Sequence, residues 1–188
     1  MARTADDVRR AELLERIVDY VLDNGVAGLS LRPLALAVSS SPRVLLYYFA
    51  SKEDLIVEIL ERARHRQQAS LDRLKALRGS SRDVCRAAWR IISDRQTEPL
   101  YRLFFEVFGL ALQNRDRFPG FLERAVGDWL SFLEKPALQQ GYTSSQARSF
   151  ATIVLAGFRG FLMDLCASGD RTRVGRAVEI WLEALPYA

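Results

Sequence analysis

The stretch SLRPLALAVSSSPRVLLYYF, residues 30–49, decides the fold. It holds two short apolar stripes, residues 31–38 and 43–49, separated by three consecutive serines. Ser30 is a good N-cap for the first stripe, and Ser41 followed by Pro42 is a strong start for the second, because proline suits the first helical position. Two short helices joined by a turn of three or four residues form a helix-turn-helix. The stretch therefore predicts that motif.

Longer helical patterns surround the motif. Apolar residues at helical spacing from Val8 to Leu22 predict a first helix, which Asn24-Gly25 ends. Ser51 with an acid three residues later starts a long helix whose apolar stripe runs to Leu71 and Leu74. Further starts follow at Ser81, at Pro99, at Phe118-Pro119-Gly120, at a capping box from Thr143 to Gln146, and at Asp170, with Pro136 expected to kink or stop a helix.

These patterns predict an all-α fold of about nine helices. We expect a three-helix helix-turn-helix head in residues 1–52 and a helical body in residues 53–188. The two cysteines, Cys85 and Cys166, lie inside apolar helical patterns and are expected to be buried small hydrophobes rather than a disulfide.

Composition and charge exclude most enzyme chemistry. The 188 residues carry 27 Lys+Arg and 23 Asp+Glu, a net charge of +4 that is too small to identify a partner. His65 is the single histidine and lies among arginines, which disfavours a metal or catalytic role. The glycine-rich phosphate motifs, the GxSxG elbow and the HExxH motif are absent. We therefore expect no enzyme activity, no metal and no cofactor.

The chain is expected to be cytoplasmic and to have no membrane contact. Its apolar runs fall short of the roughly 18 to 20 residues that a membrane span needs, and its N-terminus lacks the apolar core of a signal peptide.

The predicted motif is free of acidic residues. No Asp or Glu occurs between Asp23 and Glu53, whereas Arg32, Arg43 and Lys52 do. Such a surface can approach phosphate without repulsion, which favours nucleic-acid binding.

Two strings carry a family resemblance. GLSLRPLA at residues 28–35 and SPRVLLYYFASKEDL at residues 41–55 resemble the DNA-binding head of the tetracycline-repressor (TetR) family. The resemblance covers roughly residues 8–60, and YYFxSKExL is its most specific part.

The resemblance implies roles for particular side chains. Those that would face base edges or the groove floor are Ser41, Pro42, Arg43, Val44 and Tyr47. Arg32 would reach a base or a phosphate, and Ser30, Tyr48 and Lys52 would contact phosphates. The alternatives are that Tyr47 or Tyr48 packs in the core and that Arg43 is merely solvated.

The sequence departs from the family at two places. Ser39 and Ser40 stand where a glycine and a small apolar residue are usual, so a left-handed turn residue would cost about 1 kcal/mol. Leu46 stands where tyrosine is common, so one phosphate or base contact is expected to be missing.

The body supplies candidates for assembly and for ligand binding. Large apolar groups mixed with glycines in the last two helices predict a homodimer interface, and the family's two-fold pairing agrees; its residues are Val154, Phe158, Phe161, Leu162 and Trp181. Aromatic side chains between the head and these helices are by themselves more typical of solid core, but the family resemblance implies a pocket for a small apolar or aromatic effector, lined by Trp89, Tyr101, Phe104, Phe105, Phe108, Trp129 and Phe132. In both cases the alternative is ordinary internal core.

The favoured hypothesis is a homodimeric, ligand-responsive transcriptional regulator. It would bind a palindromic double-stranded DNA operator, with repression favoured over activation, and a small effector would release it. The alternatives are a helical enzyme or carrier that binds a hydrophobic molecule without DNA, and a DNA-binding protein without an effector.

Overall fold

The computed structural model describes residues 2–26, 28–66 and 79–185. Over these ranges the regular structure is helical, with no strand, as the sequence predicts. The helices are α1 Ala2–Asn24, α2 Leu31–Ala37, α3 Pro42–Tyr48, α4 Lys52–Arg66, α5 Ser81–Ile92, α6 Glu98–Gln113, α7 Phe121–Gln139, α8 Ser144–Ser168 and α9 Arg171–Ala184, with a 3-10 turn at Arg115–Arg117.

Two compact units divide the chain. Unit 1 comprises Met1–Gln67 and Arg102–Leu122, and unit 2 comprises Gln68–Tyr101 and Glu123–Ala188. These compact units do not divide the chain at residue 52. The boundary between a DNA-binding head in residues 1–52 and a body in residues 53–188 stays a prediction.

Unit 1 is built on the packing of α1 against α4, with α2 lying against α1 and α3. Ile17, Leu34, Leu45 and Ile59, from the four helices in turn, are almost completely buried and form its core. Arginine–carboxylate pairs join α1 to α4 at the surface, among them Arg10–Glu58 at 2.5 Å. The first helix of the helix-turn-helix therefore packs on α1, which is itself packed on α4 and joined to it by surface ion pairs.

Unit 2 is built around α8 and α9, and α9 also packs on α5. Trp89 of α5 lies against Phe158 and Phe161 of α8, and Trp181 of α9 lies against the same two rings. By length and composition alone α8 could cross a membrane, a property that the sequence analysis missed. In the structure one stripe of its apolar side chains, Phe158 among them, fills the core of unit 2.

Local capping signals fix most helix ends. Gly25, with φ +75°, follows α1, and its N–H donates to the Val21 carbonyl at 2.8 Å. The capping box of Thr143 and Gln146 opens α8, and Asp170 caps α9 by accepting from the Arg173 N–H. These ends confirm the sequence predictions.

Three details differ from the sequence predictions or lie beyond the described residues. Ser80, rather than Ser81, caps α5, because Ser81 is turned inward and both its N–H and its hydroxyl donate to the Gln140 side chain. Pro136 does not stop α7, which runs to Gln139; it lies in the last turn, where little helix remains to be disrupted. Leu71 and Leu74 lie outside the described residues.

Candidate nucleic-acid interface

The turn between α2 and α3 is a left-handed helix end built on serine. Ser39 has φ +52°, and among the described residues it is the one non-glycine with positive φ. Its N–H donates to the Leu36 carbonyl at 3.2 Å, and the Ser40 N–H donates to the Ala35 carbonyl at 2.8 Å. This pair of bonds is the Schellman arrangement, which usually places glycine at the left-handed position. The strained turn residue that the sequence analysis considered is therefore present.

The start of α3 presents its outer face to solvent. The Ser41 hydroxyl accepts from the Val44 N–H at 3.3 Å, and Pro42 occupies the first turn. Leu45 is 1% exposed and holds the inner face, whereas Tyr47 is 73% exposed. The outward group comprises Arg43, Leu46 and Tyr47, with Pro42 and Val44 half-buried beside them. This excludes the alternative that Tyr47 packs in the core.

Two further predicted residues lie at the start of α2. Ser30 is its exposed N-cap, and Ser30 makes no side-chain capping bond, so the hydroxyl is not used by the helix. Arg32, the second residue of α2, is also exposed. Leu36 on the same helix is 82% exposed, which the sequence analysis did not single out. Its position off the stripe of Leu34, Ala35 and Val38 was the signal that could have found it.

Lys52 begins α4 directly after the motif. The Ser51 hydroxyl accepts from the Asp54 N–H at 3.0 Å, so the predicted helix start is confirmed. Lys52 is half-buried. Lys52 is thus the first residue of α4, at the positive end of the helix dipole, and a lysine beside a helix N-terminus suits phosphate.

Tyr48 has a partner that the sequence did not reveal. Its hydroxyl donates to Asp6 Oδ1 at 2.7 Å, and this bond raises the pKa of Tyr48 above its ordinary value. Arg10, one turn after Asp6 on α1, reaches the Tyr48 carbonyl at 3.4 Å and also pairs with Glu58. The first part of α1 thus holds the last residue of α3. The Tyr48 hydroxyl already donates its hydrogen bond to the Asp6 carboxylate. The phosphate contact expected of Tyr48 stays a prediction.

The aromatic side chains predicted to line an effector site fall into separate groups. Phe104, Phe105 and Phe108 belong to unit 1, where Phe104 and Phe108 lie against Phe121. In unit 2, Trp89 is part of the α5–α8–α9 core, Trp129 and Phe132 form an edge-to-face pair at 5.9 Å, and Tyr101 is half-buried. The effector site stays a prediction.

The predicted dimer residues need a correction. Val154, Phe158 and Leu162 are 0%, 4% and 4% exposed within one chain, so they are core residues of unit 2 with almost no surface left for a second subunit. Phe161 and Trp181 are half-buried and lie against each other, with their ring centroids 5.4 Å apart. The large apolar side chains that α8 and α9 do expose are Ile153, Met163 and Ile180.

The described part of the chain contains no cluster of three or more His, Cys, Asp or Glu that could hold a metal ion. Burial raises the pKa of the Cys85 thiol to about 12, so this cysteine is protonated and unreactive at neutral pH. Cys85 and Cys166 do not form a disulfide, and Cys166 is half-buried.

Comparisons with known proteins give structural likeness only. The sequence matches no protein-family model and no curated protein. A TetR transcriptional regulator from Legionella pneumophila is similar over 92% of this chain and 94% of its own, with TM-score 0.69 and 18% identity. The multidrug binding protein EbrR, complexed with imidazole, is similar over 95% of this chain and 90% of its own, with TM-score 0.66 and 19% identity. BioQ with its double-stranded DNA operator is similar over 94% of this chain and 98% of its own, with TM-score 0.57 and 18% identity.

Proposed function

Since this chain has the fold of the TetR family of transcriptional regulators, we propose that it is a homodimeric regulator that binds a palindromic DNA operator and is released by a small effector. The observation that carries the proposal is the outer face of α3. Arg43 and Tyr47 project from a helix whose inner face is buried at Leu45, and no acidic residue occurs between Asp23 and Glu53.

Base readout would come from the first turns of α3. A guanidinium group can donate two hydrogen bonds to guanine in the major groove, and Arg43 is exposed at the N-terminal end of the helix, the part that enters the groove. Tyr47 lies one turn further on the same face. The structural likeness to BioQ, which was solved with its DNA operator, supports this assignment.

Phosphate contacts would flank the readout helix. The Ser30 hydroxyl, Lys52 and the N-terminus of α4 lie at the two ends of the motif, where they could hold the backbone on either side of the groove. These contacts would fix the register of α3 without reading the sequence.

Homodimer formation would bury the exposed apolar side chains of α8 and α9. Ile153 is 43% exposed, Met163 54% and Ile180 71%. Gly160 lies between the first two on the exposed side of α8, and a Cβ there would meet nothing within 4 Å, which leaves room for a second helix. A two-fold dimer reads two half-sites, which explains why the operator would be palindromic.

The effector is proposed to be apolar or aromatic. Phe104, Phe105 and Phe108 are half-buried and cluster with Phe121, so they could pack against such a molecule. EbrR, described as a multidrug binding protein, shares the fold. An effector would lower DNA affinity by the same factor by which DNA lowers effector affinity.

Selection from random duplex DNA tests the proposal. The protein should enrich a palindrome whose two half-sites are about one helical turn apart, and the purified duplex should bind in a gel-shift assay. Aromatic compounds that raise the melting temperature should release the duplex. The Arg43→Ala variant is the specificity control. Enrichment of no sequence by a folded, dimeric protein would contradict the proposal.

A further inference from the structure

A later segment of the chain contacts the connection between α1 and α2, which precedes the helix-turn-helix. Residues 102–122 belong to the same compact unit as α1–α4. From this segment, Glu106 of α6 places Oε2 2.8 Å from the backbone nitrogen of Val26, whose N–H donates to it. Val26 lies in the connection between α1 and α2 and is 1% exposed. A buried backbone N–H needs an acceptor, and here a carboxylate 80 residues away supplies it.

Gly25 makes this approach possible. Its φ of +75° belongs to the left-handed region, and a Cβ at Gly25 would lie 2.9 Å from Glu106 Oε2. The carboxylate therefore lies directly over the backbone at the end of α1. A bulkier residue at position 25 would push the carboxylate away from the Val26 N–H.

The same segment also contacts the start of α4, which follows the helix-turn-helix. Arg117, in the 3-10 turn after α6, donates from Nη2 to Glu53 Oε1 at 2.8 Å. Glu53 is the second residue of α4, shortly after α3 ends, and the hydrogen bond from Arg117 holds the pKa of this carboxyl below its ordinary value. The Arg117 guanidinium lies 5.7 Å from the ring centroid of Phe118, a side chain that is 1% exposed. Arg117 is therefore anchored beside the unit 1 core.

We infer that Glu106 and Arg117 are positioning residues for DNA binding, which rests on the proposed function. The α2–α3 motif lies between Val26 and Glu53, and each of these residues is bonded to the 102–122 segment. The orientation of α3 thus depends on contacts that do not themselves touch DNA. The segment also carries Phe104, Phe105 and Phe108, so a displacement among these rings would act on both ends of the motif.

Matched substitutions test this inference. Glu106→Ala and Arg117→Met remove the two attachments, and Asp116→Ala and Arg102→Met make the same charge changes at exposed positions of the same segment. The first pair should lower affinity for the selected operator about tenfold, the loss expected when one base contact is weakened, and leave affinity for random duplex unchanged. The control pair should leave the ratio of specific to random affinity as in the unmodified protein.

Further readouts separate positioning from simple stability or direct contact. The slope of log affinity against log salt concentration should stay constant, because no phosphate contact is lost. Glu106→Gln keeps an acceptor oxygen and Arg117→Lys keeps the positive charge, so both should restore most of the specificity. If Glu106→Ala does not fold, Glu106→Asp replaces it in the test, because the side chain is one methylene shorter and its carboxylate lies farther from the Val26 N–H. Amide exchange at Val26, measured without DNA, should become faster when Glu106 is changed.

Several results would overturn the inference. These are an unchanged specificity ratio in folded Glu106→Ala and Arg117→Met, a salt slope smaller by about one unit in the Arg117 variant, which marks a direct phosphate contact, and unchanged exchange at Val26. A wild-type protein that selects no duplex removes the proposed function and this inference with it. If Val26 loses its exchange protection in a Glu106 variant that keeps full specificity, the inference is wrong but the proposed function is not contradicted.

Discussion

The indole ring of Trp181 lies directly on the backbone of Gly157. A Cβ built on Gly157 would stand 2.6 Å from Cη2 and 2.8 Å from Cε2 of that ring, closer than real side chains approach one another. Trp181 also lies against Phe158 and Phe161, with ring centroids 5.6 Å and 5.4 Å away. The glycine therefore admits the ring that joins α9 to α8.

Gly157→Ala should destabilise unit 2 by about 2 kcal/mol, since overpacking a core typically costs about 1 to 3 kcal/mol. Gly127→Ala is the matched control: Gly127 lies within α7, and a Cβ there meets nothing within 4 Å. The control should gain about 0.5 to 1 kcal/mol, because alanine is the better helix former. Urea unfolding measures both variants, and equal stability of the two would contradict the close approach of Trp181.

Ser39→Gly should stabilise the helix-turn-helix. Ser39 has φ +52°, and relief of left-handed strain of about 1 to 2 kcal/mol exceeds the extra chain entropy that glycine loses on folding, leaving a gain of about 0.5 to 1 kcal/mol. Ser40→Gly, one residue away and without positive φ, should lose stability instead. Thermal unfolding compares the two. A loss of stability in Ser39→Gly would show that the serine hydroxyl matters more than the strain.

Arg43→Ala and Lys52→Ala should weaken DNA binding in different ways. Loss of a base contact at Arg43 should cost about 1 to 3 kcal/mol on the selected operator and relax the preference at one base position. Loss of a phosphate contact at Lys52 should weaken all duplexes alike and reduce the salt slope by about one unit. Titrations on operator and random duplex at several salt concentrations measure both effects. Equal effects of Arg43→Ala on both duplexes would remove Arg43 from base readout.

Acid should weaken the packing of α1 on α4. Burial raises the pKa of Glu15, but hydrogen bonds and charges from Arg66 and Arg62 outweigh burial and hold that pKa below its ordinary value of 4.5. A carboxyl with a lower pKa in the folded chain contributes stability above the unfolded pKa and loses it as the pH falls through the folded pKa. The free energy of unfolding should therefore decline as the pH is lowered from about 5 toward 3.

Glu15→Gln tests this origin of the acid sensitivity. The variant should be less stable at pH 7 and should lose less stability on acidification, as measured by urea unfolding at a series of pH values. Glu12→Gln, at an exposed position on α1, is the control and should follow the unmodified protein. An unchanged pH dependence in Glu15→Gln would assign the acid sensitivity to other carboxyls.

Ile180→Glu should prevent dimer formation. Ile180 is 71% exposed, and burying such a side chain between subunits contributes about 1.5 to 3 kcal/mol, which a desolvated charge would reverse. Leu138→Glu, at a position that is 45% exposed on α7, is the control and should leave the assembly unchanged. Sedimentation velocity measures the mass of each. A dimeric Ile180→Glu, or a monomeric unmodified protein at tens of micromolar, would place the interface elsewhere or remove it.

Most helix ends, and the helix-turn-helix itself, could be predicted from the sequence alone. Ser41-Pro42, the Thr143–Gln146 box and Asp170 act on backbone groups within three residues, so their effect needs no distant partner. The family resemblance implied the outward direction of Arg43, and the burial of the apolar Leu45 and Phe49 on the opposite side of the helix agrees with it.

Only the tertiary structure decided which apolar surface of α8 is inside. Val154, Phe158 and Leu162 form one stripe and Ile153, Gly160 and Met163 another, and both are uncharged, so periodicity alone cannot choose between them. Packing against Trp89 and Trp181 buries the first stripe and leaves the second exposed. The bonds of Tyr48 to Asp6 and of Val26 to Glu106 join residues 42 and 80 positions apart, and chain distance of that kind leaves no local pattern from which either could be predicted.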